Sequence, residues 1–211
     1  MIVEKRQLLI SLILFLILIA ACSDNSQEMN NETIPYPEVE ENPIVTITME
    51  DDQEIIIELF PDIAPNTVAN FISLIEDGFY DGLVFHRVIP EFMIQGGDPQ
   101  GNGLGGPDYS IAGEFSENMF ENNLSHDRGV ISMARTQSPN SAGSQFFIVQ
   151  KKSTHLDGQY AAFGQVIEGM DVVDHIANLK RDSDDKPLVE YAMKSVTVDT
   201  KGVKYPDPIK Q

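Results

Sequence analysis

The chain has 211 residues, which is enough for one domain of ordinary size together with shorter appendages. Hydrophobic residues make up 42% of it and charged residues 22%, as is typical of a globular protein. The formal net charge of -19 argues against nucleic acid as a partner, because an acidic surface repels the phosphate backbone.

The first 21 residues have the composition of a targeting segment. Lys5 and Arg6 precede LLISLILFLILIAA, residues 8–21, an apolar run that is too short for a comfortable membrane span. The run ends in LIAAC, which resembles the lipobox of bacterial lipoproteins, where the signal peptide is cleaved before the cysteine and the thiol carries a lipid. Cys22 is the only cysteine and has no internal disulfide partner, so lipidation gives its placement a reason. The alternative is an uncleaved signal anchor with a chance cysteine.

A polar segment follows Cys22. The sequence SDNSQEMNNETIPYPEVEENP holds six acidic residues, three prolines and no Lys or Arg. Such a stretch buries too little apolar surface to offset its ordering entropy, so residues 22–42 are expected to be a flexible acidic tether. We therefore expect a lipid on Cys22 to hold the following domain at a cell membrane, facing outside the cytoplasm. The sequence leaves open whether the envelope has one membrane or two.

The predicted domain, residues 43–201, begins with a hairpin and a helix. IVTITM and EIIIELF are β-rich runs separated by EDDQ. In APNTVANFISLIEDG the apolar residues recur at helical spacing, with Pro65 near the start and Gly78 as a stop. A helix is therefore predicted over residues 65–77, with Asn66 or Asp62 as its N-terminal cap.

Further strands and a second helix are predicted downstream. LVFHRVI and FMIQGG are strand candidates, and the Gly- and Pro-rich DPQGNGLGGPDYSIAGEF is expected to be a long surface loop. GVISMA, SQFFIVQ, YAAFGQVIEG and LVEYAMKSVTVDT have strand character, while MDVVDHIANLK predicts a helix over residues 170–179. Residues 202–211 are predicted to be a C-terminal tail. These elements suggest a closed antiparallel barrel whose ends the helices cover, although the pattern alone also fits other all-β or α+β topologies.

Common enzyme signatures are missing from the sequence. The four histidines show no pairing at i, i+3 or i+4 spacing, so a metal site is not predicted. Ser144 lies in AGSQF, which lacks the second glycine of a nucleophile elbow. GNGLGG, residues 101–106, lacks the strand–loop–helix context and the Gly-Lys-Ser/Thr of a phosphate loop. Metalloenzyme, hydrolase and nucleotide enzyme are therefore not expected.

Five motifs in order resemble the cyclophilin family of peptidyl-prolyl cis-trans isomerases: FHRVIPEFMIQGGD, GNGLGG, GVISMART, SAGSQFFI and LDGQYAAFGQVIEGMDVV. The resemblance extends from about residue 44 to residue 200, which is nearly all of the predicted domain. It implies a mainly β fold, a closed eight-stranded antiparallel barrel capped by the two predicted helices. It also implies an isomerase that acts on X–Pro peptide bonds and needs no cofactor and no metal.

The resemblance assigns catalytic roles to Arg87, Phe92 and Gln95. Arg87 stands at the arginine of FHR, the main catalytic side chain of the family. Its guanidinium is expected to donate a hydrogen bond to the proline nitrogen at the twisted transition state, where that nitrogen regains a lone pair. Gln95 and Gln145 correspond to polar residues that orient the arginine and contact the substrate backbone.

The resemblance also implies an apolar seat for the proline ring, with Phe92 in its wall, and a groove for the peptide. The residues expected to bind substrate are Met93, Ala134, Arg135, Gln145, Phe147, His155, Leu156 and Tyr160. For the apolar residues of this set, the alternative is an ordinary core position.

His155 stands where many eukaryotic members have a tryptophan associated with tight cyclosporin binding, so weak inhibition by cyclosporin is predicted. Tyr160 stands where many family members have a histidine. Arg135 stands where the common eukaryotic form has an asparagine. Two interpretations of Arg135 remain open: a cation at the groove rim that holds acidic substrate segments, or a solvated loop residue.

The sequence is therefore interpreted as a lipid-anchored, monomeric prolyl isomerase that assists the folding of exported proteins. Its expected partners are X–Pro segments of exported polypeptides, whose slow isomerisation can limit folding. One alternative is a binding module that holds X–Pro segments as a chaperone or scaffold, with incidental catalysis. A purely structural envelope protein is a further alternative, but it leaves Arg87 and its neighbouring motifs unexplained.

Overall fold

Eight strands and two helices make up the regular structure of residues 36–211, the part of the chain that the computed structural model describes. The helices are α1 (Pro65–Glu76) and α2 (Met170–Ala177), and single 3-10 turns occupy Ser116–Asn118 and Thr154–Leu156. The predicted signal peptide, Cys22 and the tether as far as residue 35 lie outside the described residues. The strands are β1 (Ile44–Met49), β2 (Glu54–Leu59), β3 (Arg87–Ile89), β4 (Met93–Gly96), β5 (Val130–Met133), β6 (Phe146–Val149), β7 (Ala162–Glu168) and β8 (Met193–Asp199).

All eight strands belong to one curled antiparallel sheet with the order β3-β4-β6-β5-β7-β2-β1-β8. The predicted closed barrel is wrong. In the described part of the chain, no strand pairing joins the end strands β3 and β8, so the sheet is an open half-barrel. At this seam Val84 makes a single bridge to Ala192, and the Val88 N–H donates to the Asp185 carbonyl at 2.8 Å. β3 is only three residues long, and its Val88 N–H is taken by Asp185 of a loop and not by a neighbouring strand.

Alternation along the strands separates two groups of apolar side chains, because successive residues point to opposite faces of a sheet. The main core contains Phe71 of α1, whose ring centroid lies 5.0–5.4 Å from those of Tyr80, Phe146 and Phe163. Burial of each side chain of this kind contributes about 1.5–3 kcal/mol to stability. A second group, here called the outer cluster, lies on the other face of the neighbouring strands and consists of Met93, Val130, Phe147, Val149, Leu156 and Ala162.

Helix α1 is capped by a residue that is distant in sequence. The predicted caps, Asn66 and Asp62, are wrong: Ala64 holds the cap position and makes no side-chain hydrogen bond there. Instead the Glu114 carboxylate accepts hydrogen bonds from the backbone N–H groups of Asn66 and Thr67 at 3.0 and 2.7 Å. Burial raises the pKa of Glu114, and the hydrogen bonds that its carboxylate accepts oppose that shift. The contact satisfies N–H groups that have no partner within the helix.

Both ends of the described chain lie against α1 through the Asn66 side chain. Its Oδ1 accepts hydrogen bonds from the Ile209 N–H at 2.7 Å and from the Tyr36 hydroxyl at 2.8 Å, and its Nδ2 donates to the Ile209 carbonyl at 3.1 Å. Residues 202–211, predicted as a tail, are thus docked on the domain, where Lys210 forms a bridge with Ile111. Within residues 36–211, no helix combines the length and hydropathy needed to cross a bilayer.

We expect Glu114→Ala to lower the free energy of unfolding by about 2–4 kcal/mol, because two buried backbone N–H groups lose their acceptor. Urea denaturation of the purified full-length chain in mild detergent measures this change. Glu117→Ala is the matched control; Glu117 is an exposed residue of the adjacent 3-10 turn, and its change should stay within about 0.5 kcal/mol. Equal stability of both variants would contradict capping by Glu114.

Candidate active site

One row of side chains crosses four strands on the face opposite to the main core. The register pairs Arg87 of β3 with Gln95 of β4. It pairs Gln95 in turn with Phe147 of β6, and Phe147 with Ser132 of β5. Directly paired residues of antiparallel strands share a face, so the row sets a cation, an amide and an aromatic ring side by side.

A chain of hydrogen bonds orients the polar end of this row. Arg87 Nη1 donates to Gln95 Oε1 at 3.4 Å, and Gln95 Nε2 donates to Gln145 Oε1 at 3.0 Å. Gln145 Nε2 in turn donates to the Gly105 carbonyl at 2.8 Å, within the GNGLGG loop. On its other side, the Arg87 Nε lies 4.0 Å from the Asp185 carboxylate. The Arg87 side chain is still 44% exposed, so the guanidinium is oriented while donors remain for a substrate.

An apolar seat lies beside the guanidinium, in a cavity of about 560 Å³. Phe147, Met93 and Leu156 form its apolar lining from the outer cluster and are nearly buried, while Phe92 is half-buried. The ring of His155 lies 5.6 Å from that of Phe92, but His155 does not line the cavity. The sequence-predicted residues that the cavity brings together are Arg87, Phe92, Met93, Gln95, Ala134, Arg135, Phe147, Leu156 and Tyr160.

A second cavity of about 290 Å³ adjoins the first along the groove. Gln145 lines this second cavity, together with residues of the GNGLGG loop. Gln95, Gly103, Ala134 and Arg135 line both cavities, so they form the boundary between the two. The groove therefore extends past the apolar seat on the Gln145 side, where an extended peptide has room to continue.

Arg135 is held between two aromatic rings. Its guanidinium carbon lies 5.0 Å from the centroid of Phe115 and 4.7 Å from that of Tyr160. Its Nε donates to the Gln159 carbonyl and its Nη1 to the Thr136 carbonyl, both at 2.9 Å. Arg135 lines both cavities, and its guanidinium is at the same time held by two rings and by backbone carbonyls, so a purely solvated loop arginine does not describe it. Its pairing with acidic substrate segments stays a prediction. Arg135 supports the ring of Tyr160 by cation–π contact.

One end of the cavity, where His86 meets two loops, was not predicted from the sequence. The His86 side chain is 5% exposed, and neither ring nitrogen has a hydrogen-bond partner among the described residues. Burial lowers the pKa of His86, which favours the neutral ring. Lys186 Nζ donates to the Gly101 carbonyl at 3.1 Å and joins the two loops; Asp182 and Asp184 also line this end. The position of His86 beside Arg87 in FHR was a usable signal, but nothing local marked the loop of residues 182–186.

The chemistry available in this cavity is hydrogen bonding and apolar contact. Among residues 36–211, no group of three or more His, Cys, Asp or Glu side chains is placed to hold a metal ion. The cavity combines the Arg87 donors, the neutral Gln95 amide and a ring-sized apolar surface. Such a site can seat a small hydrophobic ring and present a fixed cation to an atom beside it.

The comparison with known proteins follows the boundaries of the sheet. The profile of the family described as "Cyclophilin type peptidyl-prolyl cis-trans isomerase/CLD" matches residues 44–198, which span β1 to β8. The chain belongs to the cyclophilin-type peptidyl-prolyl cis-trans isomerase family. The resemblance inferred from the five sequence motifs is thereby confirmed.

Two relatives and one solved structure illustrate the similarity. The chain is 46% identical to peptidyl-prolyl cis-trans isomerase B of Bacillus subtilis, over 62% of this chain and 87% of that protein. A cyclophilin type isomerase of Cryptosporidium parvum, crystallised in the presence of the dipeptide Ala-Pro, matches with a TM-score of 0.68 and 34% identity over 74% of this chain and 98% of that chain. A putative bifunctional phosphatase/peptidyl-prolyl cis-trans isomerase of Streptococcus pyogenes is 41% identical over 66% of this chain. The match covers only 35% of that longer protein.

Proposed function

We propose that this cyclophilin catalyses the cis–trans isomerisation of X–Pro peptide bonds in the cavity beside Arg87. The observation that carries the proposal is the row Arg87–Gln95–Phe147, which sets an oriented guanidinium next to an apolar seat. Membership of the isomerase family and the Ala-Pro dipeptide used with the Cryptosporidium parvum relative support an X–Pro segment as the substrate class.

The reaction needs a way to lower the barrier to rotation about a partial double bond. Rotation about a peptide C–N bond faces a barrier of about 18–20 kcal/mol. Uncatalysed exchange at X–Pro therefore takes on the order of tens to hundreds of seconds. When the bond twists, conjugation is lost, the proline nitrogen becomes pyramidal and a lone pair forms on it. A donor placed at that nitrogen binds the twisted state better than the planar one.

Arg87 supplies this donor, and its neighbours supply its orientation and the substrate's position. Phe147, Met93 and Leu156 seat the proline ring, so that the ring stays in place while the rest of the peptide rotates. Gln95 holds the guanidinium in register with that seat. A preference of about 5 kcal/mol for the twisted state accelerates exchange by between about 10³ and 10⁴. The step needs no proton transfer and no covalent intermediate.

We expect Arg87→Ala to lower kcat/KM for an X–Pro test peptide by about 100-fold or more, because the transition-state donor is lost. Arg87→Lys keeps the charge but loses the planar, multi-donor guanidinium, so we expect kcat/KM to fall by about tenfold or more. The measurement is cis-to-trans relaxation of the peptide with the purified full-length chain. Arg128→Ala is the matched control, since Arg128 is an exposed arginine that pairs with Asp174 and does not line the cavity.

The same assay separates the isomerase from a binding module. A folded wild type that binds the X–Pro peptide without accelerating its exchange would favour a chaperone or scaffold and overturn the catalytic proposal. Equal rates for the wild type and Arg87→Ala would keep the isomerase but remove Arg87 from its centre.

We also propose that the domain is a monomer held at a cell membrane through a lipid on Cys22, facing outside the cytoplasm and acting on exported polypeptides. The proposal rests on the LIAAC sequence, which lies outside the described residues, and on the acidic segment of residues 22–42, of which residues 22–35 also lie outside them. Of the predicted tether, residues 22–42, the structure describes the last part, where the Tyr36 hydroxyl donates to the Asn66 side chain of α1 at 2.8 Å.

We expect Cys22→Ser to move the protein from the membrane fraction to the soluble fraction or to leave an uncleaved precursor, because lipid attachment requires the thiol. Cell fractionation, together with the intact mass of the purified protein, measures the effect. Unchanged partitioning and a mass without lipid in the wild type would contradict the lipoprotein proposal and favour a signal anchor.

A further inference from the structure

A fully buried histidine, His126, lies behind the proline seat and outside the cavity lining. Its imidazole stacks on the ring of Phe147, with a centroid distance of 5.9 Å and an interplanar angle of 15°. Tyr160 meets the same Phe147 ring edge-on at 5.7 Å. Phe147 therefore contacts two rings, His126 in a stacked and Tyr160 in an edge-on arrangement. Of the two side chains, the His126 ring is the one that belongs to a hydrogen-bonded network.

Both imidazole nitrogens of His126 have partners. Nδ1 lies 3.0 Å from Asp157 Oδ1, and Nε2 lies 3.1 Å from Ser132 Oγ. The Asp157 carboxylate also accepts the backbone N–H of His126 at 2.7 Å and the Ser125 hydroxyl at 2.9 Å. Because a carboxylate only accepts, Nδ1 carries the proton and Nε2 accepts from the Ser132 hydroxyl. Burial lowers the pKa of His126 although Asp157 opposes the shift, which keeps the ring neutral.

The order Ser132–His126–Asp157 has the connectivity of a nucleophilic triad, but it does not serve that chemistry here. Ser132 and His126 are both 0% exposed, so no substrate carbonyl reaches the serine. The network must therefore act on its protein neighbours. Those neighbours belong to the proline seat.

The network joins three elements that build the seat. Ser132 lies directly across from Phe147 in the pairing of β5 with β6. The His126 carbonyl accepts the Ser153 N–H at 2.8 Å, at the start of the turn Thr154–Leu156 that carries Leu156. Asp157 ends that same turn. One buried imidazole thus connects a strand of the row, the Phe147 ring and the turn that carries Leu156.

We propose that His126 and Asp157 are positioning residues for isomerisation, which fix Phe147 and Leu156 relative to the Arg87 guanidinium. This inference rests on the proposed function. A proline ring held on a tilted Phe147 places its nitrogen away from the donor, and a displacement of about 1 Å at a reacting centre can cost a large part of the rate. Binding of the ring depends on apolar area, which a tilt changes little.

The test compares steady-state kinetics of the purified full-length chain with an X–Pro peptide. For His126→Leu, which removes the stacked ring and both hydrogen bonds, we expect kcat to fall by about tenfold while KM stays within about twofold. For Asp157→Asn, whose amide oxygen still accepts one hydrogen bond, a fall of about threefold in kcat is expected. Val173→Ala controls for lost stability, because Val173 is a buried main-core residue of α2 that lines neither cavity. Urea denaturation verifies that each variant is folded under the assay conditions.

Ring-proton NMR shifts of Phe147 provide a readout that lost stability alone does not move. In folded His126→Leu and Asp157→Asn these shifts should change, while Val173→Ala should leave them as in the wild type. If folded Asp157→Asn and His126→Leu have the same kcat as the wild type, the positioning role is overturned. It is also overturned if kcat of Val173→Ala falls by as much as kcat of His126→Leu. A folded wild type without Arg87-dependent isomerisation would instead remove the proposed function itself, so the two failures are distinguishable.

Discussion

The candidate site depends on the register between three short strands, β3, β4 and β6. A shift of one residue between neighbouring strands would turn every side chain to the other face, so that Phe147 would enter the core and Phe146 would face the groove. The glycines after Gln95 contribute to this register. A Cβ on Gly97, whose φ is +81°, would lie 2.4 Å from the Ser144 carbonyl oxygen, and one on Gly96 would lie 3.1 Å from the Phe85 ring. The QGG sequence therefore allows the end of β4 to approach Phe85 and the backbone just before β6.

The same register explains how a permanent cation can occupy a strand next to core residues. Val88 is fully buried, but the preceding residue, Arg87, points to the opposite face of β3. There it meets the Gln95 amide on one side and the Asp185 carboxylate on the other, and its side chain stays 44% exposed. The guanidinium keeps its solvation in the absence of substrate, and a seated proline would bring its nitrogen to a donor that is already oriented. Orientation before binding avoids reorganisation during the reaction.

Local sequence patterns predicted the helices and strands well. They did not predict contacts between segments that are distant in the chain. The first hairpin, helix α1 to within one residue at its end, and the strands that carry Arg87, Gln95 and Phe147 are present as predicted. The motif-based resemblance also placed nine of the predicted residues in one cavity. The Glu114 cap, the stacking of Arg135 on Tyr160 and the open seam between β3 and β8 were not predictable, because each arises between segments far apart in the chain and leaves no periodic signal. Likewise, His126 and Asp157 stand in separate loops, and only the fold brings them together behind Phe147.

The most direct test of this account is a crystal structure of the chain with an X–Pro peptide bound. We predict that the proline ring lies on Phe147, Met93 and Leu156, with an Arg87 N–H group within about 3.5 Å of the proline nitrogen. The peptide should continue past Gln95 toward Gln145. A proline ring seated elsewhere, or a guanidinium turned away to Asp185 while the ring occupies its seat, would contradict the central claim that the cross-strand row aligns the donor with the bond that rotates.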